Sequence, residues 1–321
     1  MASTDGAGGT SVPSGGPVGP PPLVETWHTA ALAWLEARPR LVDLDRWVHR
    51  ALAPLHARYR DRPVVEALHG GRWFGHALHP ALSDLPVGLW TGAFLVDLVG
   101  GGDEAAARLS GAGLVAAVTT VATGVSDWLV SDGGDRRLGL VHGLATTAGT
   151  GLQAASLVCR RAGRRGLART LGMASLGVTV GAAYLGGHLV LGRGLMVNHT
   201  AWHVGPRRWV RAVRDEELAP GAPAGVVVEG RQVLLCRLGE QVLALDDVCS
   251  HAGGLLSRGR VAGASVTCPL HGSVFDLGNG RVLRGPACYP QPCLPVRLRN
   301  GWVEVRASRP ARRAGTGQEG G

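Results

Sequence analysis

The sequence predicts two unlike domains in one chain: a membrane domain of four transmembrane helices, followed by a small all-β domain. Four apolar stretches of about 20 residues come first, each long enough to cross about 30 Å of hydrocarbon. Short alternating runs separated by turn sequences come second. The composition agrees, since the chain is 45% hydrophobic and has 50 Gly but only 3 Phe and 3 Tyr, a balance typical of helices that pack closely in lipid.

The four apolar stretches are Ala81–Gly100, Gly111–Val130, Leu138–Val158 and Leu171–Leu191. Small-residue pairs such as Gly88 with Gly92 let such helices approach one another closely. A soluble four-helix bundle is the alternative, but it requires a polar outer face, which these stretches lack. We therefore expect a multi-pass protein of the cell membrane, in contact with lipid.

The second domain is predicted by its strands and turns. Turn sequences such as Asn300-Gly301 punctuate the runs, which favours a small antiparallel sandwich or barrel. A charged connector is expected at Trp209–Pro223. The expected strands are Val226–Val228, Gln232–Arg237, Gln241–Leu245, Ser265–Thr267, Val274–Asp276, Arg281–Leu283, Leu294–Leu298 and Trp302–Val305.

These patterns divide the chain into five segments. We expect a disordered tail at 1–22, an amphipathic helical segment at 23–75, the four-helix transmembrane domain at 76–200, the β domain at 208–307 and a second disordered tail at 308–321. The net charge of +9 comes almost wholly from Arg. The Arg residues stand in short clusters beside apolar segments, as membrane flanks do, so we expect no nucleic-acid partner.

Two Cys–His pairs in the β domain predict a metal site. They are Cys249-Ser-His251 and Cys268-Pro-Leu-His271, with 16 residues between the second and third ligands. A [2Fe–2S] cluster with mixed ligands takes two thiolates on one iron and two imidazoles on the other, and two facing loops would supply one of each. Zinc also accepts two Cys and two His, so spacing alone leaves zinc open.

The wider sequence around these pairs resembles the Rieske ferredoxin family from about Trp209 to Val305. The resemblance lies in Cys249-Ser-His-Ala-Gly-Gly, in Cys268-Pro-Leu-His-Gly-Ser-Val-Phe-Asp-Leu and in Gly280-Arg-Val-Leu-Arg-Gly-Pro-Ala. It implies a [2Fe–2S] cluster held by Cys249, His251, Cys268 and His271, with the two His on the iron that accepts the electron. Rieske subunits of quinol-oxidising complexes carry an extra disulfide between the two loops. Here those places hold Gly254 and Leu270, which favours the ferredoxin and oxygenase branch.

Ionisable residues also recur at the ends of the apolar stretches. Antiparallel crossings place them at one membrane face, the face from which the β domain emerges. They are His76, His79, Asp84, Asp127, His142 and His188. Two of these His from different helices could ligate a b-type haem, or His and Asp could bind a quinone head group. The third interpretation is interfacial residues that hydrogen-bond one another.

The helical part resembles a four-helix membrane family, domain of unknown function 2231, over roughly residues 64–200. The elements that carry this resemblance are His79-Pro, Asp127-Trp and Gly186-Gly-His-Leu-Val. The family is found fused to Rieske or cytochrome modules, and no reaction comes with it.

Sequence signals conflict on which side of the membrane holds the β domain. Five Arg between the third and fourth stretches should be cytoplasmic by the positive-inside rule, which would put the β domain outside. Arg also clusters at the opposite face, the N-terminal segment lacks an export signal, and the missing disulfide suits a reducing compartment. We expect a cytoplasmic β domain, with the exterior as the alternative.

The function predicted first is one-electron transfer between a redox protein partner, a reductase or an acceptor, and the membrane. A quinone-linked or haem-linked membrane oxidoreductase is the second hypothesis. A redox sensor or scaffold, in which the cluster reports rather than conducts, is the third.

Overall fold

The computed structural model describes residues 23–59, 62–71 and 73–307. The two tails expected at 1–22 and 308–321 lie outside the described residues. Helices fill the first part of the chain and strands fill the rest. The described helices are α1 (Leu23–Glu36), α2 (Pro39–Tyr59), α3 (Pro63–His69), α4 (Leu78–Leu98), α5 (Asp103–Leu129), α6 (Gly133–Arg161) and α7 (Arg165–Leu191).

Helices α4 to α7 form an antiparallel bundle. Three of them, α4, α5 and α7, are long and apolar enough to cross a membrane. Helix α6 is not among these three, because its middle part carries His142, Gln153 and several Thr and Gly residues, which lower its hydropathy. Four transmembrane helices therefore stay a prediction, with α6 packed along α5 and α7.

The end of the bundle far from the β domain is tied by an ionic network around the buried Arg160. The Arg160 guanidinium on α6 contacts Asp97 on α4 and lies 3.2 Å from Asp103 on α5. Arg165 also pairs with Asp103, and Arg169 lies 3.6 Å from Asp97. The buried charge of Arg160 is tolerated because it is paired with both carboxylates.

Helices α1 and α2 pack on the other end of the bundle. Leu32 of α1 is buried with Leu138 of α6 and Leu189 of α7. The Arg136 guanidinium donates to both carboxylate oxygens of Asp45 on α2, at 2.8 to 3.2 Å. The amphipathic segment is thus held against the bundle by one apolar contact and one bidentate ion pair.

The β domain consists of three small antiparallel sheets in the orders β1-β10-β9, β2-β3-β4 and β5-β6-β7-β8. Its strands are β1 (Val210–Arg214), β2 (Pro223–Val228), β3 (Arg231–Leu238), β4 (Gln241–Asp246), β5 (Arg260–Ala262), β6 (Ser265–Thr267), β7 (Val274–Asp276), β8 (Val282–Arg284), β9 (Val296–Arg299) and β10 (Trp302–Val305). Two of them, β1 and β5, were not predicted from the sequence. Strand β1 lies in the expected connector, where its Arg residues obscure a strand that pairs with β10, and β5 is only three residues long.

The domain has two apolar cores, because both faces of β3 are covered. Leu234 points into one core together with Leu245 and Phe275, under the four-stranded sheet. Its neighbour Leu235 points the other way, into a core shared with Val303. Successive side chains of a strand alternate between faces, so a single strand joins the two cores. The first core supports the loops that carry the Cys–His pairs.

Candidate metal centre

Two loops with the same backbone geometry carry the four predicted ligands. In the first loop the Cys249 amide donates to the Gly254 carbonyl at 2.8 Å, and the Gly253 amide donates to the Cys249 carbonyl at 3.0 Å. Both glycines that follow the ligand pairs, Gly253 and Gly272, adopt positive φ of 75° and 78°, which closes each turn at no steric cost.

The second loop repeats this pattern at the same offsets. The Cys268 amide donates to the Ser273 carbonyl at 2.8 Å, and the Gly272 amide donates to the Cys268 carbonyl at 3.1 Å. The loops also approach each other closely. A Cβ at Gly254 would lie 2.9 Å from Cβ of Leu270 and 3.1 Å from Sγ of Cys268. The two positions that hold cysteines in the disulfide-bearing branch are therefore neighbours here, and none of the six cysteines forms a disulfide.

The two thiols lie side by side and are surrounded by amide donors. Amides of His251 and Ala252 donate to the sulfur of Cys249, and amides of Leu270 and His271 donate to that of Cys268. The Cys249 thiol donates a hydrogen bond to Cys268, which raises the pKa of Cys249 and lowers that of Cys268 to about 6. This stabilisation of thiolate is what an iron–sulfur centre requires.

The two imidazoles form the other half of the site. Their ring centroids are 5.0 Å apart and the rings are perpendicular. Burial, with smaller effects of His271, His69 and His199, lowers the pKa of His251 to about 3. Burial also lowers the pKa of His271. Both rings are therefore neutral, as metal ligation demands.

The residues present fit a [2Fe–2S] cluster. Nδ1 of His271 is buried without a hydrogen-bond partner in the described part of the chain, so one ring nitrogen is left for a metal. Among the described residues, no three His, Cys, Asp or Glu side chains converge as the ligands of one metal ion do. A pair of thiols and a separate pair of imidazoles match two irons better than one tetrahedral zinc.

The imidazole edge of this site faces the helical part of the chain. Nε2 of His271 lies 3.5 Å from the carboxylate of Asp132, in the turn between α5 and α6. On α3, the Glu66 carboxylate accepts from the Gly285 amide at 3.2 Å, and the Cys288 thiol donates to the His69 carbonyl at 3.7 Å. The four ligands are thus enclosed between their own loops and the ends of the bundle.

His69 links this contact to the bundle. Its Nδ1 lies 3.1 Å from the carboxylate of Asp127 on α5, and its Nε2 lies 3.3 Å from Oγ of Ser126. All three side chains are buried. Sequence reasoning missed both His69 and Asp132, because their proximity to the cluster site depends on how two distant parts of the chain dock.

The structure does not gather the six ionisable residues of the predicted face into one site. His79 and His142 face each other with ring centroids 6.3 Å apart. Asp127 pairs with His69 instead, and His188 lies 3.4 Å from Arg193. The remaining two stand apart: His76 precedes α4 and contacts Phe74, and Asp84 is exposed on α4.

Comparison with known proteins defines the class. Residues 208–295 match the family described as Rieske [2Fe-2S] domain. Over 93 residues the chain is 31% identical to the naphthalene 1,2-dioxygenase system ferredoxin component of Pseudomonas putida, covering 29% of this chain and 89% of that protein. The corresponding Pseudomonas aeruginosa protein is 32% identical over 101 residues, covering 32% and 97%. The chain therefore belongs to the Rieske [2Fe–2S] family through its C-terminal domain.

The helical part has its own match. Residues 75–204 match the family described as Predicted membrane protein (DUF2231), so the chain is a Rieske domain joined to a membrane domain, as the sequence predicted. Among solved structures, the ferredoxin of carbazole 1,9a-dioxygenase from Nocardioides aromaticivorans is 29% identical, with a TM-score of 0.30, covering 31% of this chain and 98% of that chain.

Proposed function

We propose that this protein transfers single electrons between a soluble redox partner and the membrane, through a [2Fe–2S] cluster bound by Cys249, His251, Cys268 and His271. The observation that carries the proposal is the pair of matching loops, which set two amide-surrounded thiols beside two neutral imidazoles. The cluster supplies one-electron chemistry when bound. The protein supplies the ligands, the burial and the hydrogen bonds that set its potential.

Exposed residues at the tip of the second ligand loop indicate the side from which a partner reaches the cluster. Leu270, at the tip of the second loop, is 47% exposed beside Pro269. A groove of about 350 Å³ runs there, lined by Gly253, Gly254, Leu255, Arg258, Pro269 and Leu270. The relatives in this family are named as ferredoxin components of dioxygenase systems, so a reductase or an electron acceptor of that kind is the partner we propose for this surface.

On the other side of the cluster, the contacts favour the membrane domain as the second redox site. The imidazole edge faces Asp132 and α3 rather than solvent. An exposed imidazole edge would suit a freely diffusing carrier, whereas this one directs the cluster toward the bundle. The contact between the two halves therefore favours an electron path that continues into the helices.

The test is an EPR spectrum of the dithionite-reduced, detergent-purified protein, together with iron and acid-labile sulfide assays. We expect two irons and two sulfides per chain and the rhombic signal of a mixed-ligand cluster. An EPR-silent sample that contains one zinc per chain would overturn the proposal. Exchange of His271 for Ala is expected to abolish the signal, whereas exchange of His76 for Ala is expected to leave it intact.

A further inference from the structure

Two histidines in the bundle are held in the same way. Nδ1 of His79 on α4 lies 2.9 Å from the Thr120 carbonyl on α5. Nδ1 of His142 on α6 lies 2.8 Å from the Ala182 carbonyl on α7. A carbonyl only accepts hydrogen bonds, so in both neutral rings Nδ1 carries the proton and Nε2 is left as a lone-pair donor. Histidines that bind metals are oriented by such a bond from the second ring nitrogen.

Each ring also rests on a glycine one helical turn further along the accepting helix. A Cβ at Gly124, four residues after Thr120, would lie 2.7 Å from Cε1 of His79. A Cβ at Gly186, four residues after Ala182, would lie 3.0 Å from Cε1 of His142. The same arrangement of a histidine, an accepting carbonyl and a glycine thus occurs once in the pair α4–α5 and once in the pair α6–α7. This repetition makes a chance contact a poor explanation.

These contacts bring the two rings close together and perpendicular to each other inside the bundle. Their centroids are 6.3 Å apart, with an interplanar angle of 86°. Within the described residues, neither Nε2 has a hydrogen-bond partner. One metal atom bound by both nitrogens at about 2 Å would separate the ring centres by about 6 Å. The observed centroid spacing of 6.3 Å matches the spacing expected for two imidazoles on opposite sides of one metal.

We propose that His79 and His142 are the axial ligands of a b-type haem between the two helix pairs. A bare metal ion needs about four protein ligands, and in the described chain no third His, Cys, Asp or Glu joins these two. A porphyrin brings four nitrogens of its own and needs only axial ligands. Its apolar rim suits a site between apolar helices.

The position of the pair suits electron exchange with the cluster. Helix α6 begins at Gly133, directly after Asp132, and His142 lies nine residues further along it. At 1.5 Å per residue the pair is about 14 Å below that end of the bundle. This inference rests on the proposed function and gives its electron a destination: one electron leaves the reduced cluster and converts ferric haem iron to ferrous, with no bond made or broken and no proton moved.

The test uses the full-length protein in detergent, titrated with hemin and followed by absorbance and the pyridine haemochrome assay. We expect one haem per chain and a sharp Soret band. In the His79→Ala and His142→Ala variants we expect that band to be lost, and in His142→Met we expect it to remain but to shift, because methionine also ligates haem iron. His76→Ala, outside the helices, is the matched control and is expected to bind haem like the unchanged protein.

The cluster EPR signal of the same samples separates two kinds of failure. A full cluster signal with no haem bound at any hemin concentration overturns this inference and leaves the proposed function standing. Haem bound equally well by both alanine variants also overturns it, since the iron is then held elsewhere. Loss of the cluster signal with haem retained would count against the proposed function alone.

Discussion

His271 is the residue at which the two halves of the chain meet. Its Nδ1 is buried in the ligand site, and its Nε2 faces the carboxylate of Asp132. A ligand that contacts both the metal and a charge on another domain makes the potential of the cluster depend on docking. Substitutions of His271 and Asp132 therefore test the site directly.

Replacing His271 by Cys is expected to keep a cluster and to lower its midpoint potential. A thiolate adds negative charge where a neutral imidazole stood, and all-Cys [2Fe–2S] centres lie at about −400 mV against about −150 to +300 mV for mixed-ligand ones. We expect a decrease on the order of 100 mV or more, measured by EPR-monitored redox titration. An unchanged potential would show that His271 is not a ligand. His76→Cys serves as the control.

Replacing Asp132 by Asn is expected to raise the midpoint potential. Its carboxylate stabilises the oxidised, less negative cluster, and the side chain is 65% exposed, so solvent weakens the effect. An interaction of this kind is worth at most about 1 kcal/mol, or a few tens of millivolts in a one-electron couple. Glu104→Gln, at the far end of the bundle, should leave the potential unchanged. A decrease in the Asp132→Asn variant would contradict the contact.

At the scale of elements, the junction between α3 and the β domain rests on one glycine. A Cβ at Gly71 would lie 2.6 Å from Cα of Cys288, closer than real Cβ contacts allow. Gly71→Ala is therefore expected to weaken docking by about 1–3 kcal/mol, the usual cost of an overpacked contact. Gly177→Ala, where a Cβ meets nothing within 4 Å, is the matched control.

Alkylation of Cys288 reports this docking. Burial, together with the nearby carboxylates of Asp127 and Glu66, raises the pKa of its thiol to about 12, so the thiol stays protonated and unreactive at pH 8. In the Gly71→Ala variant we expect iodoacetamide to modify Cys288 faster, as read by mass spectrometry of the tryptic peptide. Equal rates in the variant and in the control would mean that the junction does not open.

Local patterns predicted the elements that their own residues define. The Cys–His pairs were found because ligation needs those residue types at short spacing within single loops. The histidine face was harder. His79 lies in the first turn of α4 and His142 nine residues into α6, so their equal depth depends on where each helix begins. Helix starts follow from packing as much as from composition, and the pairing could not be read from the sequence.

The contacts between the halves had no local signal at all. Glu66 and His69 stand in a short helix, and Gly285 and Cys288 follow more than two hundred residues later. Nothing in either segment specifies the other. The fourth transmembrane helix stays a prediction, because α6 is less apolar than the other three and carries a buried Gln153 that donates to Ser110 at 2.8 Å.

At the scale of the whole molecule, the ionic network bears on the orientation in the membrane. Arg160, Arg165 and Arg169 favour a cytoplasmic position for the far end of the bundle by the positive-inside rule. All three pair with Asp97 or Asp103. Acidic residues contribute little to this rule, so the pairs do not cancel the Arg signal, and a cytoplasmic Rieske domain stays a prediction.

Labelling of intact cells tests that orientation. Glu240 lies in the exposed turn between β3 and β4, and Arg164 lies in the exposed turn between α6 and α7. With a membrane-impermeant maleimide, we expect Arg164→Cys to be labelled in intact cells and Glu240→Cys only after permeabilisation, each above the background of the native cysteines. The reverse pattern would place the cluster outside the cell.

The enclosure of the four ligands also has a consequence for biogenesis. Cys249 and Cys268 are 1% and 3% exposed, and the imidazole edge is covered by α3 and the turn after α5. Those helices are synthesised before the β domain, so the covering surface is ready when the ligand loops leave the ribosome. We therefore expect iron and sulfide to enter the ligand loops more readily before the domain settles on the bundle than after it has docked.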